Sequence, residues 1–375
     1  MKVLVAGDFC DKNRVKQAIA DEKYSMMFDG VKDIVQQADV RIVNFEFPIV
    51  EKVGKPIKKC GPNLIGQKKA IDAIKYAGFN VCTLANNHIL DQGDECCINT
   101  KYLLEDAGIK TVGAGNNLKD ASKVLYIENE GETIAIINCC ENEFSIAAEE
   151  TPGSYPLNPV KQYYQITEAR QKATYVLVIV HGGPEHYRLP SPRMKEIYHY
   201  FISTGADAVV NHHQHCYSGF ELFQGKPIIY GLGNFLFDWN STKRTPWTEG
   251  YMVVLDTEKD TFELIPYFQS IEKPCVTLMD STDKQLFFEQ IDQLNSIIID
   301  DKELERQVNA YYASFSNFEL SVLEPYQGKV TAYLFSKGLL PKFIRGSKLI
   351  QILNHITCES HLDKLRYALR FAIKK

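Results

Sequence analysis

Five short apolar runs in this chain each empty into side chains that bind metals or carry protons. Lys2-Val-Leu-Val-Ala6 is followed by Gly7-Asp8, and Asp39-Val-Arg-Ile-Val43 by Asn44-Phe-Glu46-Phe-Pro48. Asn80-Val-Cys-Thr-Leu-Ala85 runs into Asn86-Asn87-His88, and Tyr175-Val-Leu-Val-Ile-Val180 into His181-Gly-Gly-Pro-Glu185. A last run, Ala206 to Val210, meets Asn211-His212-His213-Gln214-His215. Apolar runs of this length read as buried strands, and polar residues just past them mark the carboxyl edge at which open α/β sheets carry their sites. His213 and His215 are alternate residues, so an extended backbone sends both imidazoles to one side. Pro48 blocks continued strand pairing and leaves Glu46 on a turn at a strand end.

Helical spacing fills the intervals: Gln67–Gly78 with glycine at its stop, then Asp94–Ala107, Val160–Ala173 and Pro192–Thr204. Short strands are expected at Lys110–Val112, Lys123–Ile127 and Thr133–Asn138, and residues 141–160 read as loop. Phe220–Phe223, Pro227–Tyr230, Tyr251–Leu255 and Thr261–Pro266 read as mostly antiparallel strands closing the domain. Strands alternating with helices imply a parallel sheet and the α/β class. From about Asp280 the strands stop. Lys284–Ile299, Asp301–Phe315 and Lys348–Phe371 have helical periodicity, and Val330–Ile344 is apolar and basic around Pro341. The expected division is therefore 1–275 for the sheet-bearing domain and 276–375 for a helical extension.

Charge separates the same two parts. The whole chain carries −5 and the residues from Tyr326 onward +8, which leaves −13 on the body. That asymmetry points to an anionic partner for the tail, a membrane surface or a protein, with a solvated helical face as the plainer reading. No nucleic-acid module accompanies the basic residues, so no nucleic-acid partner is expected. The ten cysteines form no C-x-x-C, no signal peptide precedes Met1-Lys-Val-Leu-Val-Ala, and no window reaches the ~20 apolar residues of a membrane span. These features read as reduced thiols in a cytoplasmic protein, peripheral to a membrane at most.

Asp8, Glu46, Asn87, His181, His213 and His215 make a mixed oxygen and nitrogen donor set. Such a set suits Mn, Fe or Zn better than calcium or a thiolate-held zinc. Six donors exceed one tetrahedral site but fit two ions sharing a carboxylate, an arrangement able to clamp a phosphate ester. His88 is placed to protonate a leaving oxygen or bind a phosphoryl oxygen, with Asp91 and Glu185 as carboxylates that orient it or the ligand imidazoles. Plainer roles stand beside these: Asp8 as a helix cap, Asn86 and Asn87 as turn residues, Glu46 as an exposed charge. His186 and His212 read as structural. Gly113-Ala-Gly115-Asn-Asn-Leu118 lacks the third glycine of a dinucleotide fingerprint, and neither a G-x-S-x-G nor a P-loop is present.

Taken together, Gly7-Asp8, Asn44-Phe-Glu46-Phe-Pro48, Leu84-Ala-Asn-Asn-His88-Ile-Leu-Asp91, His181-Gly-Gly-Pro-Glu185 and Gly205-Ala-Asp…His213-Gln-His215…Tyr230-Gly-Leu-Gly-Asn234-Phe235 resemble the CapA family. These are proteins of capsule and poly-γ-glutamate synthesis within the calcineurin-like metallophosphatase superfamily. The resemblance covers about residues 1–260. It implies a four-layer αββα sandwich, a dinuclear metal site on the six donors named above, and the catalytic-histidine role for His88. It also implies a phosphorylated or anionic small molecule, or a surface polymer, as what the site acts on. Cys10 departs from the superfamily's Asp-x-His and reads as a buried thiol, which weakens one metal position. Two functions follow: a metal-dependent phosphoesterase of surface-polymer synthesis, or a non-catalytic accessory subunit that keeps the pocket for binding.

Overall fold

In chain order the strands are β1 Lys2–Cys10, β2 Val40–Phe45, β3 Val81–Thr83, β4 Lys110–Val112 and β5 Ala114–Gly115. Then come β6 Leu125–Asn129, β7 Glu132–Cys140, β8 Gly153–Ser154, β9 Tyr175–His181 and β10 Ala208–His212. The last are β11 Phe220–Phe223, β12 Lys226–Ile229, β13 Asn234–Phe237, β14 Glu249–Asp256, β15 Thr261–Gln269 and β16 Val276–Leu278. They belong to a computed structural model that describes residues 1–369 except 241, 327, 359, 363, 366 and 367. Of the charged tail, Arg366, Arg370, Lys374, Lys375, Glu359 and Asp363 lie outside the described residues, as does the end of the helix expected to reach Phe371.

One sheet has the order β16-β15-β14-β1-β2-β3-β4, with β13 parallel to the end of β1. The other has the order β11-β12-β10-β9-β7-β6, its β7, β9, β10 and β12 parallel. Both faces of each parallel strand are apolar, and the alternation divides them between two layers of core. Val3, Val5, Val40, Ile42 and Val81 share a cluster with Ile134, Ile136, Leu177, Ile179 and Val210 of the other sheet. Leu4, Ala6, Val43, Phe45 and Cys82 point the opposite way. There they meet Ile19, Phe28, Ile71, Ile74 and Leu104 from the helices Arg14–Ala20, Tyr24–Phe28, Ala70–Ala77 and Asp94–Asp106. The helices Pro159–Lys172 and Pro192–Thr204 cover the second sheet through β7, β9 and β10. Each fully buried aliphatic side chain contributes about 1.5–3 kcal/mol, so period-two strands with two apolar faces commit the chain to this helix–sheet–sheet–helix stack. It is the four-layer αββα sandwich that the motifs imply.

The helix Ser281–Ile299, expected to begin the extension, packs instead with the sheets. Its Phe287 and Ile291 enter the inter-sheet cluster, Phe287 with ring centroids 4.9 Å from Tyr217 and 5.6 Å from Tyr251. The compact units are accordingly Met1–Glu305 and Arg306–Lys375, a later division than the one near residue 275.

The second unit holds the end of the helix Asp301–Leu320 and the helices Lys329–Ser336 and Ser347–Thr357. Glu324 accepts hydrogen bonds from the backbone N–H groups of Phe343 (3.0 Å) and Ile344 (3.2 Å), and the Tyr326 hydroxyl donates to Pro341 O (2.7 Å). The helix expected across Lys348–Phe371 breaks at Cys358, whose backbone is extended. No helix among the described residues is long and apolar enough to cross a membrane.

Candidate metal centre

An unbroken β1 would send Asp8 toward the helices with Leu4 and Ala6. It does not, because Ala6 pairs with Val43 and Asp8 with Asn44, two steps of β1 against one of β2. The extra residue is Gly7, where a Cβ would lie 1.8 Å from Gly233 O, so only glycine fits the bulge. The bulge turns Asp8 to the other face and returns Phe9 to the helices. Asp8 then stands between Asn234 of β13 and Asn44 of β2, with Thr83 of β3 beyond. Across from this row, Cys140, His181 and His212 lie abreast on β7, β9 and β10. The two sheet edges face each other, and His212 Nε2 lies 3.0 Å from Ala6 O across the gap.

The extended His213–His215 pair expected from the sequence is corrected here. β10 ends at His212, where its partner β9 ends at His181, and the chain turns. His213 has φ 86° and His215 φ 58°, left-handed values that cost a non-glycine residue about 1–3 kcal/mol. The turn is held by the site itself: His213 N–H donates to Asp8 Oδ2 (3.2 Å), and Asn234 Nδ2 donates to His215 O (3.0 Å). Both rings still point inward, their centroids 6.1 Å apart.

Donor atoms converge on His181 Nε2, with His213 Nδ1 at 3.0 Å, Asn87 Oδ1 at 3.1 Å and Glu46 Oε1 at 3.7 Å. One ring proton serves at most one of these three acceptors, and buried Glu46 Oε1 has no hydrogen-bond donor at all. A second group joins Asp8, Glu46 and His215, with His215 Nδ1 3.6 Å from Asp8 Oδ2 and Nε2 3.9 Å from Glu46 Oε1. Glu46 belongs to both groups. A third combination, Asp8, His181 and His212, is also within reach of one ion. For Asp8 and Glu46 the side-chain amide donor found among the described residues is Asn44 Nδ2, 2.7 Å from Asp8 Oδ1 and 3.5 Å from Glu46 Oε2. Burial, then the charge of Asp8, push the Glu46 carboxyl well above its usual range. Burial, then His213, hold His181 and His215 well below the usual imidazole range. Acceptors in excess, buried and short of protons, fit divalent cations with oxygen and nitrogen preference.

The surrounding residues fix how the donors point. Asn87 Nδ2 donates to Glu143 Oε2 (3.1 Å), so its carbonyl oxygen faces His181. His215 Nδ1 donates to Asn234 Oδ1 (2.8 Å). The Asn86–Asn87 loop is held by Ser154, whose Oγ donates to Asn86 O (2.7 Å), and by Ser145, whose Oγ donates to Asn87 O (2.8 Å). His88 Nδ1 lies 2.5 Å from Asp91 Oδ2, and Lys59 Nζ bonds Asp91 and lies 3.1 Å from His88 Nδ1. Lys59 and Asp91 form a buried ion pair, their side chains 2% and 0% exposed. Burial, against the pull of Asp91, lowers the His88 pKa. Glu185 stays half exposed at the mouth, 3.9 Å from His213 Nε2.

The nine residues given metal or catalytic roles from the sequence thus lie together at one place. The sequence pattern by itself gives no role to Lys59, Asn44 or Glu143. Lys59 comes from a Gly/Pro/Lys loop and Glu143 from an acidic one, where one charged residue looks like another. Cys10 lies in the helix-side cluster, its thiol pushed well above the ordinary range by burial and then by Glu46. None of the donor groups found among the described residues includes it.

Comparison with known proteins bears on the same region. Residues 2–239 match the family model described as bacterial capsule synthesis protein PGA_cap. The chain is 32% identical over 253 residues to the capsule biosynthesis protein CapA of Bacillus anthracis, an alignment covering 65% of this chain and 62% of that protein. It is 29% identical over 265 residues to the PGA biosynthesis protein CapA of Bacillus subtilis (strain 168), covering 69% of each. The chain therefore spans less than two thirds of the B. anthracis relative. A solved phosphatase from Mycoplasma pneumoniae aligns with 77% of this chain and 98% of its own at 16% identity and a TM-score of 0.41.

Proposed function

The chain belongs to the bacterial capsule synthesis protein family, and from that premise we propose that it is a two-ion phosphoesterase of surface-polymer synthesis. The observation that carries this reading is Glu46, shared by two donor groups, with a buried oxygen that no hydrogen bond reaches. Asp8, Glu46 and His215 would hold one Mn, Fe or Zn ion, and Glu46, Asn87, His181 and His213 the other. Bound ions supply Lewis-acid charge to a phosphoryl group and a nucleophilic water at neutral pH.

The chain's own side chains do the rest. Asp91 takes His88 Nδ1 and leaves Nε2 for a leaving-group or phosphoryl oxygen. Lys59 balances the Asp91 charge, so His88 is oriented without being held as an imidazolium. Asn234 and Glu143 aim His215 and Asn87, and Glu185 stands where it orients His213. The substrate is a phosphorylated or anionic small molecule or the polymer itself. The names of the two Bacillus relatives support a capsular polymer, poly-γ-glutamate or a polysaccharide. A cytoplasmic setting is supported by ten cysteines that form no disulfide among the described residues.

Elemental analysis of the full chain, beside His213→Ala and with p-nitrophenyl phosphate as the probe ester, tests the reading. About two equivalents of metal and metal-dependent turnover, both lost in the variant, are expected. No metal after incubation with Mn²⁺ or Zn²⁺ overturns it. The position of Cys10 in the core leaves the His215 group with three donors and favours a second reading, an accessory subunit that binds but does not hydrolyse. Bound metal without turnover of any phosphate ester selects that one.

A further inference from the structure

The helix Ser347–Thr357 buries none of its side chains, although five of its eleven residues are leucine or isoleucine. At 100° per residue Leu349, Ile350, Ile352, Leu353 and Ile356 fall within an arc of about 160°. Ile350, Leu353 and Ile356 are 70%, 58% and 50% exposed. Ser347, Gln351, Asn354 and His355 take the opposite arc, with Lys348 at its edge. Just before the helix, Leu339 and Phe343 are exposed as well, and Glu324 pins the backbone of Phe343 and Ile344. Between Glu324 and Glu359 the chain carries Lys329, Lys337, Lys342, Arg345 and Lys348 and no acidic residue.

We propose that residues 339–357 dock on an anionic lipid surface. The helix lies in the interface with Leu349, Ile350, Leu353 and Ile356 toward the acyl chains, while Lys342, Arg345 and Lys348 meet headgroup phosphates. Eleven residues rise about 16 Å, about half a bilayer's hydrocarbon thickness, so the helix rests on the membrane rather than crossing it. An apolar face alone would fit a protein groove too. Five cations without one acid favour a surface that is negative everywhere, which is what anionic lipid presents. The proposal is independent of whether the metal centre turns over.

Co-sedimentation of the full chain with phosphatidylcholine vesicles, with and without phosphatidylglycerol, tests it. Binding is expected only to vesicles containing phosphatidylglycerol and is expected to weaken with salt. It should fall at least about tenfold in Ile350→Glu/Leu353→Glu and in Arg345→Glu/Lys348→Glu, with melting temperatures unchanged. Failure to bind, or equal binding by both double variants, overturns the proposal. So does a dimer that Ile350→Glu/Leu353→Glu abolishes in protein that ignores vesicles, because the face is then covered by a second copy.

Discussion

The sheet-edge site and the helix Ser347–Thr357 depart from the usual distribution of residues in opposite directions. In the first, carboxylates and imidazoles are buried with too few donors among them. In the second, leucines and isoleucines face outward. The consequences for the fold are unequal. A buried charge without a partner costs several kcal/mol, whereas exposed aliphatic groups cost a folded chain little. The site therefore needs a stiff scaffold to exist at all, and it has one in the Gly7 bulge, two left-handed histidines and amide clamps on both sides. The helix needs little more than the turn that Glu324 holds before it.

This contrast predicts a steep gradient of mutational effect. The largest loss is expected from Gly7→Ala, whose methyl would enter Gly233 O. It should cost about 4 kcal/mol or more, read as insoluble protein or a melting temperature lower by about 10 °C. A variant that melts like the parent would show that the bulge is not required. Next comes Lys59→Met, which leaves the buried Asp91 without its cation and should cost about 3–5 kcal/mol. Adding Asp91→Asn should recover part of that loss, and a purely additive double variant would dissolve the pair as a unit. Mn²⁺ or Zn²⁺ at a hundredfold excess over its dissociation constant should stabilise the chain by about 3 kcal/mol, reversibly with chelator and not in His213→Ala. An unchanged melting curve would remove the ions from the account of why those acceptors are tolerated. Smallest is Ile350→Glu, expected within about 0.5 kcal/mol of the parent. A loss like that of a core substitution would mean the helix face is already covered.

Much of this was legible in the sequence because a buried strand and its polar end sit side by side in the chain. Tyr175–Val180 followed by His181 needs no tertiary knowledge to be read. The less legible features are those that depend on a partner distant in sequence. The register shift at Gly7 is set by Gly233, and without it the parity of β1 would put Asp8 on the wrong face. β13 is a four-residue strand that exists because the end of β1 offers it an edge. Lys59 acquires meaning from Asp91, and Glu143 from Asn87 and His213. The helix Ser281–Ile299 looked like part of an extension because its periodicity says nothing about which surface its Phe287 and Ile291 will find.

Glu46 serves both donor groups, and that has a thermodynamic consequence. Two positions that share a carboxylate oxygen are not loaded as strangers. Whatever the occupant of one does to the affinity of the other, the effect is returned by the same factor. On the two-ion reading proposed above, a binding isotherm for this centre is expected to resolve into two linked steps.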